Sequence, residues 1–423
     1  MKEAINRIIS IGKEHILLTL YSFVFFVLLI GVYSHSEFKY FPLLAIFIGT
    51  LFTSYFLLNN YLSSFFTKLS DKVSLNINFF PLLNAIVLFS IIGFIFLHYI
   101  YMDGVPLFKA LVTLDHLEVS RIRNEVTTNC PKWINYLASF YIKAIIPFYL
   151  FYFFHQKKYT LFTILFLVSG FYTLSLLQKS YIVTIILPLF IFFLLSKKWL
   201  FSFLSTTFIV CSVLFLTRVA NPHLNNEASS KVNKQEIIDT SQTVNQHLSS
   251  VEQPPKNEHQ IVTMAKSLID RVFIIPGEIV SIWFSYIPEK LPYLNGCGYR
   301  FLTPVLNCEH IKYPEVIYDL EFPEYAKLGV KGTLVTSTFM HDYANFGVIG
   351  LFISGIILSF VFFLIKMLFN NNFKLLLVFN LTPVLLLSSS ALSTLLLSHG
   401  WMLSVALFVI YSKQIIKHHT TSE

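Results

Sequence analysis

The chemistry in this sequence rests on a few cations set among apolar residues. Lys179 lies in TLSLLQKSYIV, a turn of almost no length between two apolar runs. A charge held that close to hydrocarbon is costly, which makes it a functional candidate, although a lysine can also snorkel to lipid head groups. Arg218 ends another apolar run, Arg271 lies in an amphipathic stretch, and Arg300 follows NGCGY. Arg121 and Arg123 stand in HLEVSRIRNEV, beside Glu118 and Glu125. Arginine grips phosphate oxygens through two parallel hydrogen bonds and stays charged near lipid. Several such cations at membrane level suit a lipid-linked diphosphate. The competing reading for each arginine is a pair with a local carboxylate or with anionic lipid.

A second constellation is TSTFMHDYANFGVIGLFISG, where a polar stretch re-enters an apolar run. A histidine exchanges protons near neutral pH and can take one from a sugar hydroxyl. His341 is read as the catalytic base or orienting group, with the adjacent Asp342 as its helper. Lys179, Arg218 and Arg271 are read as diphosphate ligands, with Arg123 and Arg300 as further candidates. The bland alternative is a structural histidine at a helix start. Asn345 and Gly347 fall on the following turns, and Gly350 would let another helix approach closely.

Other chemistries lack their residues. There is no GxxxxGK[ST], no GxGxxG after a strand and no HExxH, and the four cysteines lack zinc spacing. Nothing calls for ATP, NAD or a metal, so no cofactor is expected. An enzyme here must use a substrate that arrives already activated; otherwise the protein is a transporter.

The elements that position these residues are membrane helices. The chain is 55% hydrophobic and only 13% charged, with a mean hydropathy of +0.65, where a soluble domain carries about 25% charged residues. Apolar runs have the ~17–25-residue length that crosses ~30 Å of hydrocarbon. A span satisfies its backbone internally, so an all-α polytopic protein is expected. A β-barrel would alternate polar and apolar residues, and runs such as Phe201–Leu216 do not.

Ten spans are expected: His15–Tyr33, Phe41–Leu62, Phe79–Tyr101, Trp133–Phe154, Thr160–Leu177, Tyr181–Leu195, Trp199–Thr217, Asp342–Ile365, Phe373–Leu387 and Leu392–Tyr411. The last two are separated only by Ser388–Ser390, a weak break. The first run is long and lacks a small-residue cleavage site, so it reads as a span rather than a leader. With ten spans, Lys13, Lys68, Lys72, Lys157, Lys158, Lys197, Lys198, Lys366, Lys374, Lys413 and Lys417 all fall on one side. The positive-inside rule makes that side, and both termini, cytoplasmic. The net charge of +8 then serves topology rather than nucleic acid.

Three regions follow: an N-terminal membrane region 1–217, a large loop 218–341 outside the membrane, and C-terminal helices with a short tail, 342–423. Within the loop, Asn221–Gln260 is polar and expected to be mobile. Ile261–Pro288 is amphipathic and could lie along the membrane surface. Asn295–Val330 reads as a small folded cap. An oxidising outside would let Cys297 and Cys308 form a disulfide, which two cysteines alone do not establish.

This plan resembles the Wzy-type O-antigen polymerases, which join oligosaccharide repeat units, and the O-antigen ligases related to them. The resemblance covers the topology of the whole chain, but its motifs are short. Gln178–Ser180 looks like the basic turn, often SR, that begins a span in these families. Lysine offers a point charge there, where arginine would grip with two prongs. HDYANFGVIG is similar to their histidine-plus-Asn pair before a glycine-containing span, with Asp342 in the Asn position. RVFIIPGEIVSIWFSYIPEKLPYLNGCGYRF looks like the region after Arg271 in repeat-unit polymerases.

The resemblance implies an architecture like the large GT-C membrane glycosyltransferases and metal-independent glycosyl transfer at the periplasmic face of the bacterial inner membrane. Undecaprenyl-diphosphate-linked oligosaccharides would be the substrates and undecaprenyl diphosphate the leaving group. A chain-length regulator and a flippase would be partners. The alternatives are an O-antigen ligase and, from another class, a flippase for lipid-linked oligosaccharides. A flippase would need polar groups along a path through the bilayer.

Overall fold

The computed structural model describes residues 10–70, 80–113, 116–220, 270–327, 332–370 and 372–420. The segment 221–260, expected to be mobile, and the first part of the amphipathic stretch lie outside the described residues. Every regular element among the described residues is helical. Six helices are long and apolar enough to cross a membrane, and four shorter apolar helices of 10–17 residues accompany them. By helix length and hydropathy the chain is a multi-pass membrane protein.

The long helices are α1 (Ile16–Ser36), α2 (Phe41–Ser70), α3 (Phe80–Tyr101), α6 (Lys132–His155), α9 (Trp199–Ala220) and α14 (Thr338–Leu368). The short helices α4 (Pro106–Val112) and α5 (His116–Thr128) lie between α3 and α6. The shorter apolar helices are α7 (Tyr159–Ser175), α8 (Lys179–Leu195), α15 (Phe373–Leu386) and the start of α16 (Trp401–Thr420). The connection between the long helices α9 and α14 holds α10 (Ile275–Tyr286), α11 (Thr303–Leu306), α12 (Tyr313–Glu321) and α13 (Pro323–Lys327).

The helix pairs follow from side-chain size. α14 packs along α2, where Gly355 brings the two backbones together: a Cβ there would stand 3.0 Å from Leu51 N. Close approach through small residues is how helices associate where lipid is as apolar as leucine. The core behind them is aromatic. Phe148 and Tyr149 of α6, Phe379 of α15 and Tyr411 of α16 meet ring to ring. The two phenols are shared out, Tyr149 with Tyr411 at 2.7 Å and Tyr411 donating to Asn84 Oδ1 at 2.9 Å, so no hydroxyl of that pair is left dry.

Three helices differ from the runs expected of them. The C-terminal run is not one helix from Leu392. It begins as a π turn, Thr394–Ser398, breaks at Gly400 (φ 73) and only then becomes α16. α6 carries a π turn at Tyr141–Ile145, just before Pro147, whose missing N–H disrupts the regular ladder. α14 breaks at Gly347, which has φ 62 and ψ −141 inside an otherwise continuous helix. That conformation is open to glycine and closed to residues with a Cβ.

The amphipathic stretch is described from Asp270 onward. Its described part is a π turn, Asp270–Ile274, followed by α10, and it runs alongside α1. Gly277 sits on the α1 backbone, where any Cβ would collide with Leu28 O, and Ser281 Oγ meets Ser36 Oγ at 3.0 Å. Val280, Trp283 and Phe284 of α10 are buried, with Trp283 against His341 and Phe284 against Tyr40 and Tyr343.

Cys297 and Cys308 are joined by a disulfide, with Cα atoms 6.0 Å apart and a sequence separation of 11. It closes the loop between α10 and α12. Replacing both by serine is expected to lower the stability of this region by about 3 kcal/mol through restored loop entropy. Thermal unfolding in detergent, with and without reductant, measures it: reductant should lower the wild-type midpoint and leave the double variant unmoved.

Candidate functional site

The break at Gly347 builds one candidate cluster. In an unbroken helix the carbonyls of Ala344 and Asn345 would accept from N–H groups one turn on. The break releases them, and released carbonyls need other donors. The loop after α10 supplies these: Leu294 N donates to Ala344 O and Asn295 N to Asn345 O, both at 2.9 Å. Asn345 is buried. Its Oδ1 accepts from Gly298 N at 3.0 Å and its Nδ2 donates to His341 O at 2.7 Å, which fixes the amide's orientation. Tyr299 donates its hydroxyl to Asp342 Oδ1. Gly350, expected to admit another helix, instead admits this segment of its own chain: a Cβ there would collide with Asp342 O.

His341 and Asp342 are adjacent in sequence but do not form a pair. Successive residues on a helix face different ways. Asp342 turns to Tyr299, while the His341 ring packs edge-on against Trp283, 5.3 Å between centroids. Trp283 is itself fixed, its Nε1 donating to Leu334 O at 3.1 Å. His341 Nε2 is buried without a hydrogen-bond partner, as are Thr336 Oγ1 and Ser337 Oγ just before it. The Asp342 carboxylate thus meets Tyr299, while the His341 ring meets Trp283, 58 residues away in sequence.

Burial pushes the Tyr299 phenol above its ordinary pKa, and the Asp342 carboxylate adds to it. The phenol therefore stays protonated and donating. Its folded-state value is raised, so its contribution to stability is present below the unfolded pKa of about 10 and fades as pH rises through it. Tyr299→Phe removes the donor and is expected to cost about 1–3 kcal/mol, since it leaves a carboxylate with one partner fewer. Thermal unfolding from pH 7 to 11 checks this: the variant should start lower and lose less on the alkaline side.

A second, separate cluster is a set of cations. Lys179 is the first residue of α8, the end of a helix where a positive charge is disfavoured and an anion favoured. The charges acting on it are those of Arg123, from α5, and Arg271, from the π turn before α10. Three expected cations from three distant segments thus share one field. Arg121 is occupied, with Glu125 Oε1 at 3.1 Å and Glu118 Oε2 at 3.7 Å. Among the described residues, Lys179, Arg123 and Arg271 have no ion pair.

Arg218 lies exposed on the last turn of α9, a helix that packs on α4 and α5. Arg300 is exposed on the disulfide-closed loop. Neither is among the charges that act on Lys179. Trp283 and Tyr299 gave little signal in sequence, because each acts through a partner on a distant segment.

Among the described residues no group of three or more His, Cys, Asp or Glu could hold a metal ion. No family model, curated protein or solved structure matches this chain.

Proposed function

We propose that this protein is a surface-polysaccharide polymerase of the Wzy type, joining undecaprenyl-diphosphate-linked oligosaccharide repeat units at the periplasmic face of the bacterial inner membrane. The carrying observation is the shared field of Lys179, Arg123 and Arg271. Cations that repel one another are held together at a cost that a polyanion reverses. A diphosphate emerging from the membrane is such a polyanion. In this reading the six long and four shorter apolar helices make ten crossings in a GT-C-like arrangement, with both termini cytoplasmic. α7 and α8, at 17 residues each, span about 26 Å at 1.5 Å per residue. That is less than the ~30 Å of hydrocarbon, which draws their ends, Lys179 included, toward the lipid.

The acceptor sugar's hydroxyl attacks the anomeric carbon of the donor. The bond to undecaprenyl diphosphate breaks, and its electron pair leaves with the diphosphate oxygen. In this reading His341 takes the hydroxyl proton. Lys179, Arg123 and Arg271 stabilise the charge that develops on the diphosphate. Arg218 and Arg300 are left to the sugar-bearing parts of the substrates.

Deletion of the gene tests this reading against the O-antigen ligase. Loss of a polymerase leaves lipid A core capped by a single repeat unit. Loss of a ligase leaves bare core and accumulates lipid-linked polymer, and that result would overturn the proposal.

A further inference from the structure

A separate polar site lies within the helical bundle. Lys143 sits midway along the 24-residue helix α6, in its π turn. It lines a cavity of about 30 Å³ together with Thr184 of α8, Thr382 of α15, His399 before α16 and Ser404 within it. Pro147, Pro188 and Pro383, one each from α6, α8 and α15, line it too. A proline lacks the N–H and pushes away the carbonyl four residues earlier. Three helices therefore splay around one place, and the cavity is what they leave.

The groups facing it are short of partners. His399 Nδ1 and Thr382 Oγ1 are buried without a hydrogen bond. Lys143 has no ion pair among the described residues, and no carboxylate lines the cavity. The charge of Lys143 also reaches His399. An ammonium carries three donors and no acceptor, and inside an apolar bundle it needs a counter-charge. The space takes about two water-sized occupants, at ~10–15 Å³ each, which excludes a sugar or a diphosphate.

We propose that this cavity binds one small monovalent anion of the chloride class, held by the Lys143 ammonium with His399 and Thr382 donating around it. The carbonyls of Thr184 and Phe379, deprived of their donors by Pro188 and Pro383, take the protons of a water that shares the space.

The intact chain in lipid nanodiscs tests this, unfolded thermally across a series from potassium gluconate to potassium chloride at one ionic strength and one pH. The site gives a saturable rise of the midpoint with chloride, which bromide reproduces. Lys143→Met raises the half-saturating chloride by about tenfold or more, the loss of a charged hydrogen bond. Should that variant not fold, Thr382→Val and His399→Gln each raise it roughly threefold. A wild-type midpoint that chloride does not move means a neutral lysine or water alone, and overturns the proposal. So does a half-saturation that is the same in wild type and in every variant that folds, which places the anion elsewhere.

Discussion

Replacing Lys179 by alanine is expected to slow the proposed glycosyl transfer by about 10²–10³-fold, the usual loss when one preorganised charge-stabilising contact is removed. Lys179 opens α8, so the helix's own positive end already favours an anion there. Its neighbours in charge, Arg123 and Arg271, come from segments that share no local reason to converge. In the proposed reaction charge on the diphosphate grows as the anomeric bond breaks, so the loss should appear in kcat rather than in KM.

Arg271→Ala should give a loss of similar size. The double variant should lose less than the product of the two, because groups acting on one leaving group are not additive. Lys179→Arg keeps the charge and should retain most of the rate. Single-turnover transfer with lipid-linked donor measures all four. A rate within threefold of wild type for Lys179→Ala would remove this lysine from the mechanism.

The second large effect belongs to Gly347. Alanine there must adopt φ 62 and ψ −141, and its Cβ would stand 2.9 Å from Tyr293 Cζ. Such backbone strain costs about 1–3 kcal/mol before the steric contact is counted. The chain's cheapest escape is to straighten α14. That would return the carbonyls of Ala344 and Asn345 to the helix, release Leu294 and Asn295, and pull Asp342 from Tyr299. Activity should therefore fall further than stability does. Gly49→Ala is the control: a Cβ there meets nothing within 4 Å. Its rate should match wild type and its unfolding midpoint should equal or exceed it, while Gly347→Ala should lower both.

These two residues also mark how much of the site was legible in sequence. Lys179 was visible because a charge between two apolar runs is a local anomaly. The helices were visible for the same reason: α1, α8 and α9 start and stop within a few residues of their hydropathy limits. The break at Gly347 was not, because it falls where the polar HDYANF meets the apolar VIGLFISG, and hydropathy carries no record of φ. His341 and Asp342 are neighbours in sequence, yet helix geometry sends neighbours to different partners. Asp342 finds Tyr299 and His341 finds Trp283 through contacts of long sequence separation, which no local pattern encodes. Lys143 was in plain view within YIKAIIPFYL. Its run is long enough to cross a membrane whatever it contains, and the sequence alone does not say that the lysine faces a cavity rather than lipid.

The most direct test of the central claim is transfer by the purified protein in detergent. The substrates are a labelled single repeat unit on undecaprenyl diphosphate and no second membrane compartment. The account predicts a ladder of lengthened products on the lipid, with one undecaprenyl diphosphate released for each unit added, and no ladder with Lys179→Ala or His341→Ala. A folded wild-type preparation that moves the lipid-linked unit across vesicles but never lengthens it would contradict the account.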